Sequence, residues 1–136
     1  MEKYVLGFLF SQDRRKVALI MKRKPDWQRN KINGIGGKIE ATDKDPKAAM
    51  VREFEEEAGV KITSWNHYAT MTDALSWEVH VYKAFSDKIE NVETKTDEVV
   101  VVYEVEKLRE YRLLPNVHWL ILLALDEEPQ YTVINY

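Results

Sequence analysis

The sequence predicts a single α+β domain in which a mixed sheet is flanked by helices. Short apolar runs of strand length lie on both sides of one amphipathic helical segment, and a second helical segment lies near residue 120. A length of 136 residues is typical of one domain. No internal repeat, low-complexity stretch or linker divides the chain. We therefore expect residues 1–136 to fold around one sheet.

Two strands are predicted at the start of the chain. Tyr4–Phe10 and Val17–Met21 are apolar runs separated by a polar segment that is typical of a turn. The following segment, Lys24–Lys31, is polar and contains Pro25, and glycines stand at positions 34, 36 and 37. Because glycine adopts backbone conformations that other residues avoid, we expect a tight loop here.

Cap residues bound the first predicted helix. Asp45 precedes Pro46, and an aspartate before a proline suits a helix start because the carboxylate accepts hydrogen bonds from free amides. Gly59 suits the helix end. Three apolar side chains share one face between these positions, namely Val51, Phe54 and Ala58. We expect this face to pack on the sheet.

The rest of the chain predicts further strands and a closing helix. Val60–Thr63, Trp77–Phe85 and Val99–Val105 have strand-like patterns. Trp119–Leu125 is apolar and of helical length. The predicted order is therefore strand, strand, loop, helix, strands and helix.

The composition argues against several classes of partner. Lys and Arg number 20 against 23 Asp and Glu, so a net charge of -3 gives no general attraction to nucleic acid polymers or anionic membranes. Because the chain has no cysteine, disulfides, thiolate metal sites and thiol nucleophiles are excluded. No apolar run approaches the roughly 20 residues of a membrane span. These features predict a soluble, cytoplasmic protein.

A patch of glutamates on the first helix is the main chemical signal. Glu53, Glu56 and Glu57 project within about 100° of arc, beside the small residue Ala49. Like charges at this spacing cost roughly 0.2–0.5 kcal/mol per pair, and a divalent cation would remove that cost. Mg²⁺ prefers oxygen ligands and commonly shares carboxylates with substrate phosphates. The alternative is an ordinary solvated acidic face.

The spacing around this patch resembles the Nudix box. That family pattern is Gly, five residues, Glu, seven residues, Arg-Glu, an apolar residue, any residue, Glu-Glu, any residue, Gly and an apolar residue. Arg52–Val60 matches the whole second half. In the first half, Asp43 stands six places after Gly37 instead of Glu, and one residue is inserted before Arg52. We assign no catalytic role to Asp43.

The resemblance implies a fold and a metal site. The fold is a Nudix-type α/β/α sandwich with a curved mixed sheet. Glu53, Glu56 and Glu57 would bind Mg²⁺, with Mn²⁺ able to substitute, and the backbone carbonyl of Gly36 would complete the inner sphere. The metal would activate a water that attacks phosphorus, with no covalent intermediate. Arg52 would orient a carboxylate, and its alternative role is an ordinary surface ion pair.

The general base has two candidates by the same resemblance. Glu53 lies on the helix, and Glu98 lies just before the predicted strand Val99–Val105, where relatives place a base or metal ligand. Glu98 is thus a candidate for both roles, and its alternative is a solvated loop acid. Asp97 is the next choice.

Six residues are candidates for binding the substrate: Lys22, Arg23, Trp27, Asn33, Lys38 and Asn116. The two cations at positions 22 and 23 could meet phosphates or be ordinary surface charges. The amides at 33 and 116 could read a base edge or serve as turn and cap residues. The tryptophan is the best candidate for stacking, since it lies in a loop. The segment Asn33–Lys38 resembles the branch of the family that removes oxidised purine nucleoside triphosphates.

The expected function is Mg²⁺-dependent hydrolysis of a nucleoside triphosphate to a monophosphate and pyrophosphate. One alternative substrate is ADP-ribose or another nucleoside diphosphate sugar. A second alternative is a non-catalytic nucleotide-sensing module, against which the three helical glutamates argue. The short chain, without an added dimerisation domain, favours the triphosphate. The expected partner is a small-molecule nucleotide, and the sequence is compatible with a monomer or a homodimer.

Overall fold

The computed structural model describes residues 1–128 and 131–136. Within these ranges the chain forms an eight-stranded sheet and two α-helices. The strands are β1 (Glu2–Phe10), β2 (Lys16–Met21), β3 (Ile32–Asn33), β4 (Ile35–Lys38), β5 (Asn66–Thr72), β6 (Trp77–Phe85), β7 (Val99–Glu104) and β8 (Thr132–Asn135). The α-helices are α1 (Pro46–Ala58) and α2 (Val117–Leu125). Short 3₁₀ helices span Asp26–Gln28, Asp87–Asn91 and Val105–Glu110.

Strand β1 is the centre of the sheet. One of its edges pairs with β6 in parallel, from Glu2 opposite Trp77 to Phe10 opposite Phe85. Its other edge pairs with β2 near the end of the strand and with β4 nearer its start, both antiparallel. The strand order is β3-β2-β1-β6-β5-β8, with β4 also beside β1 and β7 also beside β2. The sheet is therefore mixed.

Both faces of the sheet carry a core. Because side chains alternate along a strand, Val5 and Leu9 of β1 face the α1 core, whereas Leu6 and Phe8 face the α2 core. Phe54 of α1 is fully buried in the first of these cores. The α2 core includes buried side chains of that helix, among them Val117, Leu120, Ile121 and Ala124. The predicted α+β class and the helix–sheet–helix arrangement are confirmed.

The predicted bounds of α1 are also confirmed. The Asp45 side chain accepts a hydrogen bond from the Ala48 amide at 2.8 Å, as an N-cap does. Gly59 has a φ of 77° and donates its amide to the Glu55 carbonyl at 2.9 Å. A positive φ is disfavoured for residues with a Cβ, so glycine suits this helix end.

Three details of the sequence-based prediction are wrong. Val60–Thr63 forms no strand, and its apolar character has another cause, because Ile62 is 2% exposed and packs into the α1 core. The glycine segment contributes strand β4 and is not only a loop. Strands β5 and β8 were not predicted. In the part of the chain that the structure describes, no helix is long and apolar enough to cross a membrane.

Candidate functional site

Strand β4 brings Gly37 against α1 and Gly36 against the backbone of β1. A Cβ atom on Gly37 would lie 2.6 Å from the carboxylate atoms of Glu53, and a Cβ on Gly36 would lie 1.9 Å from the carbonyl oxygen of Val5. Both distances are shorter than real contacts. Glycine is needed at these positions because of close approach, whereas the sequence suggested unusual backbone angles. The result is that the Glu53 carboxylate sits directly on the backbone of β4.

Arg52 joins the acidic residues around this point. Its guanidinium donates two hydrogen bonds to Asp43, from Nε to Oδ1 at 2.9 Å and from Nη2 to Oδ2 at 2.8 Å. Nη1 donates to Glu53 Oε1 at 3.0 Å and to Glu56 Oε2 at 3.2 Å, and it lies 3.4 Å from Glu40 Oε2. The Asp43 side chain is only 5% exposed, and the hydrogen bond from Arg52 holds its pKa below the ordinary value. Asp43 therefore fixes the guanidinium that hydrogen-bonds to Glu53 and Glu56.

Two of the predicted metal ligands are partly desolvated. Burial raises the pKa of Glu53, although Arg52 opposes this effect. Burial also raises the pKa of Glu57, and the nearby Glu98 carboxylate raises it further. Thr96 opposes the increase, since its hydroxyl donates to Glu57 Oε2 at 3.1 Å. A nearby cation stabilises the ionised form of carboxylates that are partly buried in this way.

Glu98 is the buried acid of the loop before β7. It is 4% exposed and accepts hydrogen bonds from Lys22 Nζ at 3.0 Å, from the Arg23 amide at 2.7 Å and from the Lys24 amide at 3.3 Å. Burial acts to raise its pKa, but these donors outweigh burial, so the pKa of Glu98 lies below its ordinary value. The neighbouring Asp97 is exposed. Glu98, rather than Asp97, is the acid close to the helical glutamates.

The acidic side chains are at present directed to protein partners. Across residues 1–128 and 131–136, no group of three or more Asp, Glu or His side chains is arranged to hold a metal ion. Glu53 and Glu56 turn to Arg52, and Glu57 bonds to Thr96. A cation would therefore share these carboxylates or draw them away from their partners.

The residues nevertheless fit a hard divalent cation. The donors gathered here are carboxylate oxygens, with the backbone of Gly36 close by, and Mg²⁺ and Mn²⁺ favour oxygen donors. The glycine at position 37 leaves the space that Glu53 fills. Glu53, Glu56, Glu57 and the carbonyl of Gly36 are the groups that would hold the ion, and Glu98 lies beside them.

The structure separates the predicted substrate residues into different settings. Lys22 pairs with Glu98, and Lys38 pairs with Glu2 at 3.2 Å. Trp27 is 65% exposed on a 3₁₀ helix. Asn33 accepts a hydrogen bond from the Gly34 amide at 2.8 Å through its side-chain oxygen. The Arg23 side chain lines a shallow depression of about 280 Å³ whose other lining residues are Met21, Arg29, Asn30, Asp97 and Val99.

Asn116 belongs to a small cluster at the start of α2. It makes no capping hydrogen bond, and its Nδ2 donates to the sulfur of Met71 at 3.3 Å. The Tyr136 hydroxyl lies 3.9 Å from the same sulfur, and the Trp77 ring centre is 5.6 Å from that of Tyr136. The sequence did not single out Met71 or Tyr136. Aromatic rings beside an amide are the groups that hold a nucleobase.

Comparisons with known proteins concern the family and the fold of the chain. The sequence model of the NUDIX domain matches residues 2–125. None of the curated proteins matches the chain. Among solved structures, the chain is similar to MutT from the fish pathogen Aliivibrio salmonicida and Vibrio cholerae, with 22% identity over 89% of this chain and 96% of that one and a TM-score of 0.75.

Two further solved structures share the fold. The NUDIX domain of Shewanella oneidensis NrtR, complexed with ADP ribose, is 18% identical over 90% of this chain and 84% of that one, with a TM-score of 0.76. The MutT protein from Bacillus halodurans is 16% identical over 100% of this chain and 90% of that one, with a TM-score of 0.72. At these identities the likeness concerns the fold alone.

Proposed function

The chain belongs to the Nudix hydrolase family, and from that premise we propose that it hydrolyses a nucleoside triphosphate to the monophosphate and pyrophosphate with Mg²⁺. The observation that carries the proposal is the contact between α1 and β4. There Gly37 gives room to Glu53, and Arg52 ties Glu53 and Glu56 to Asp43. A purely solvated acidic face would need neither the glycine nor the shared guanidinium.

Each acidic residue receives a role in this reaction. A divalent cation, when bound, neutralises phosphate charge and lowers the pKa of the attacking water. Glu53, Glu56 and Glu57 would hold the cation, and Arg52, which hydrogen-bonds to Glu53 and Glu56, would fix the direction of these two carboxylates. Glu98 is the second candidate for the base beside Glu53, and its lowered pKa makes it the weaker base of the two, since the pKa of Glu53 is raised. The water gives a proton to the base, its oxygen bonds to phosphorus, the α–β anhydride bond breaks, and pyrophosphate leaves.

Arg23 is the better of the two predicted phosphate-binding cations. Lys22 already neutralises Glu98. The Arg23 backbone is fixed by the same carboxylate, while its side chain lies beside Arg29 in the shallow depression. Two guanidinium groups at the edge of the acidic site can meet the polyphosphate chain. Arg23 and Arg29 would therefore attract the negatively charged phosphates of the substrate toward a site that is otherwise acidic.

The base is proposed to bind at the cluster of Trp77, Tyr136 and Asn116. The Asn116 amide donates only to a thioether sulfur, which is a weak acceptor, so a base edge can replace that contact. The isolated bridge between Ile32 and Leu113 holds the segment before α2 beside β3, and β3 is followed at once by β4. Exposed Trp27 is the rival stacking group.

ADP-ribose is the second candidate substrate. The likeness to the NrtR domain complexed with ADP ribose supports it, since the two chains share their fold over most of their lengths. A third possibility is a nucleotide-sensing module without catalysis. Glu53, Glu56 and Glu57 are all present here, which favours hydrolysis over sensing.

A product analysis with matched variants tests the proposal. The purified protein is incubated with Mg²⁺ and nucleoside triphosphates, oxidised purine triphosphates or ADP-ribose, and the products are separated by chromatography. Glu57→Gln should lower turnover about 100-fold, because it removes a metal-binding charge. Glu55→Gln is the control, since Glu55 is exposed on the same helix and bonds to none of the site residues.

The products distinguish the three functions. Monophosphate and pyrophosphate, made by the wild type and by Glu55→Gln only, support the triphosphate pyrophosphohydrolase. Preferential cleavage of ADP-ribose keeps the mechanism and replaces the substrate. If no compound is cleaved but one of them raises the melting temperature, the nucleotide-sensing module replaces the enzyme.

A further inference from the structure

The loop at 93–98 closes over the end of helix α1. The Glu93 amide donates to the Ala58 carbonyl at 3.0 Å, and the Lys95 amide donates to the Glu57 carbonyl at 3.3 Å. These bonds satisfy carbonyls that the last turn of a helix otherwise leaves free. The backbone that carries Glu57 is therefore fastened to the loop that carries Glu98.

Thr96 is the side chain at which this loop meets the acidic site. Its hydroxyl donates to Glu57 Oε2 at 3.1 Å and accepts the Glu98 amide at 3.1 Å. A hydroxyl has one hydrogen to donate and lone pairs to accept, so both bonds can exist together. One hydroxyl oxygen thus connects Glu57 on the helix with Glu98 on the loop.

We propose that Thr96 is a positioning residue that sets the Glu57 carboxylate for the divalent cation. The inference rests on the proposed function. Binding one Glu57 oxygen leaves the other free for the ion and prevents the side chain from rotating out to solvent. Binding the Glu98 amide at the same time fixes the distance between the two acids. Hydrogen bonds to metal-binding carboxylates of this kind tune metal affinity by about 10–100-fold.

A substitution at Thr94 is the control that distinguishes the positioning role of Thr96 from a general effect on the stability of the loop. Its hydroxyl accepts a hydrogen bond from the Val100 amide at 3.0 Å, so it also stabilises the loop, but within residues 1–128 and 131–136 it makes no hydrogen bond to a carboxylate. Valine has nearly the shape of threonine and lacks the hydroxyl. Thr96→Val and Thr94→Val therefore remove one loop hydroxyl each, and only the first removes a bond to Glu57. Thr96→Ser keeps that hydroxyl.

The test is Mn²⁺ binding to the whole protein by isothermal titration calorimetry, with urea unfolding as a check of the fold. Thr96→Val should weaken Mn²⁺ binding about 10-fold, while Thr96→Ser and Thr94→Val stay within about 2-fold of the wild type. With the best nucleotide of the panel, Thr96→Val should lower kcat about 10-fold and leave KM nearly unchanged. An effect on KM alone would contradict the role.

Three results would overturn the inference. They are equal Mn²⁺ affinity of Thr96→Val and the wild type, an equal loss in Thr94→Val, or no recovery in Thr96→Ser. If the wild type binds Mn²⁺ but cleaves no nucleotide, the proposed function fails. The Mn²⁺ affinities of the variants then test the positioning role of Thr96 by themselves. If the wild type binds no Mn²⁺, both proposals fail.

Discussion

Asp43→Asn should destabilise the fold by about 2–3 kcal/mol, because Asp43 holds Arg52 through two hydrogen bonds in a largely buried place. The carboxylate is 5% exposed and also accepts the Glu40 amide at 2.8 Å. Asparagine keeps one acceptor oxygen, but its NH₂ group replaces the other and then faces a hydrogen-bond donor, either Arg52 or the Glu40 amide. The loss stays below the roughly 3–5 kcal/mol of a fully broken buried pair, since Arg52 retains Glu53 and Glu56.

Urea unfolding followed by tryptophan fluorescence measures this effect. In a separate thermal unfolding experiment, the melting temperature should fall by roughly 6–12 °C. Asp45→Asn is the matched control, because it makes the same chemical change two residues away and asparagine caps helices about as well as aspartate. The control should lose less than about 1 kcal/mol. Equal unfolding midpoints for the two variants would refute the assigned contribution of the Asp43–Arg52 pair.

The pH dependence gives a second readout of the same pair. Arg52 lowers the pKa of Asp43 in the folded protein, so the pair stabilises the fold fully above the unfolded carboxyl pKa of about 3.9. That stabilisation is lost as the pH falls through the lower, folded pKa. The difference in unfolding free energy between the wild type and Asp43→Asn should therefore be constant near neutral pH and shrink below about pH 4. A difference that persists unchanged in acid would contradict the ionic origin.

Two other substitutions test the contact between α1 and β4 and the core beneath it, and a third, at an exposed position, is their control. Gly37→Ala should lower metal-dependent turnover about 100-fold, because the new Cβ displaces the Glu53 carboxylate; wild-type activity with an unchanged circular dichroism spectrum would contradict this. Phe54→Ala should cost about 3–5 kcal/mol of unfolding free energy, since Phe54 is fully buried against Trp65. Trp27→Ala, at a 65% exposed position, should cost less than about 0.5 kcal/mol.

The parts of the fold that depend on neighbouring residues could be predicted from the sequence. Asp45 and Gly59 bound α1 through local backbone chemistry, and β6 follows a pattern within its own nine residues. Strand β5 was missed because its burial does not alternate: four consecutive residues, Tyr68–Met71, are buried, although the strand forms a short antiparallel hairpin with β6. Ile62 misled the prediction because its burial comes from core packing without strand pairing.

The candidate site divides in the same way. The spacing from Arg52 to Glu57 places the glutamates on one helix face, and that could be read from the sequence. The contact of Asp43 with Arg52 could not, because the inserted residue removed the expected register. Thr96 gave no signal at all, since nothing local to it indicates that its loop returns to Glu57. Contacts between distant segments are invisible to spacing rules.

The parallel pairing of β1 with β6 has a consequence for how the chain reaches its native state. The first strand cannot complete its hydrogen bonds until residues near Phe85 are available, and α1 with all its glutamates lies inside the loop that this pairing closes. Closing such a long loop costs entropy before contacts compensate it, so folding in about milliseconds to seconds is expected. During synthesis, the unpaired edge of β1 stays open to other chains until β6 leaves the ribosome.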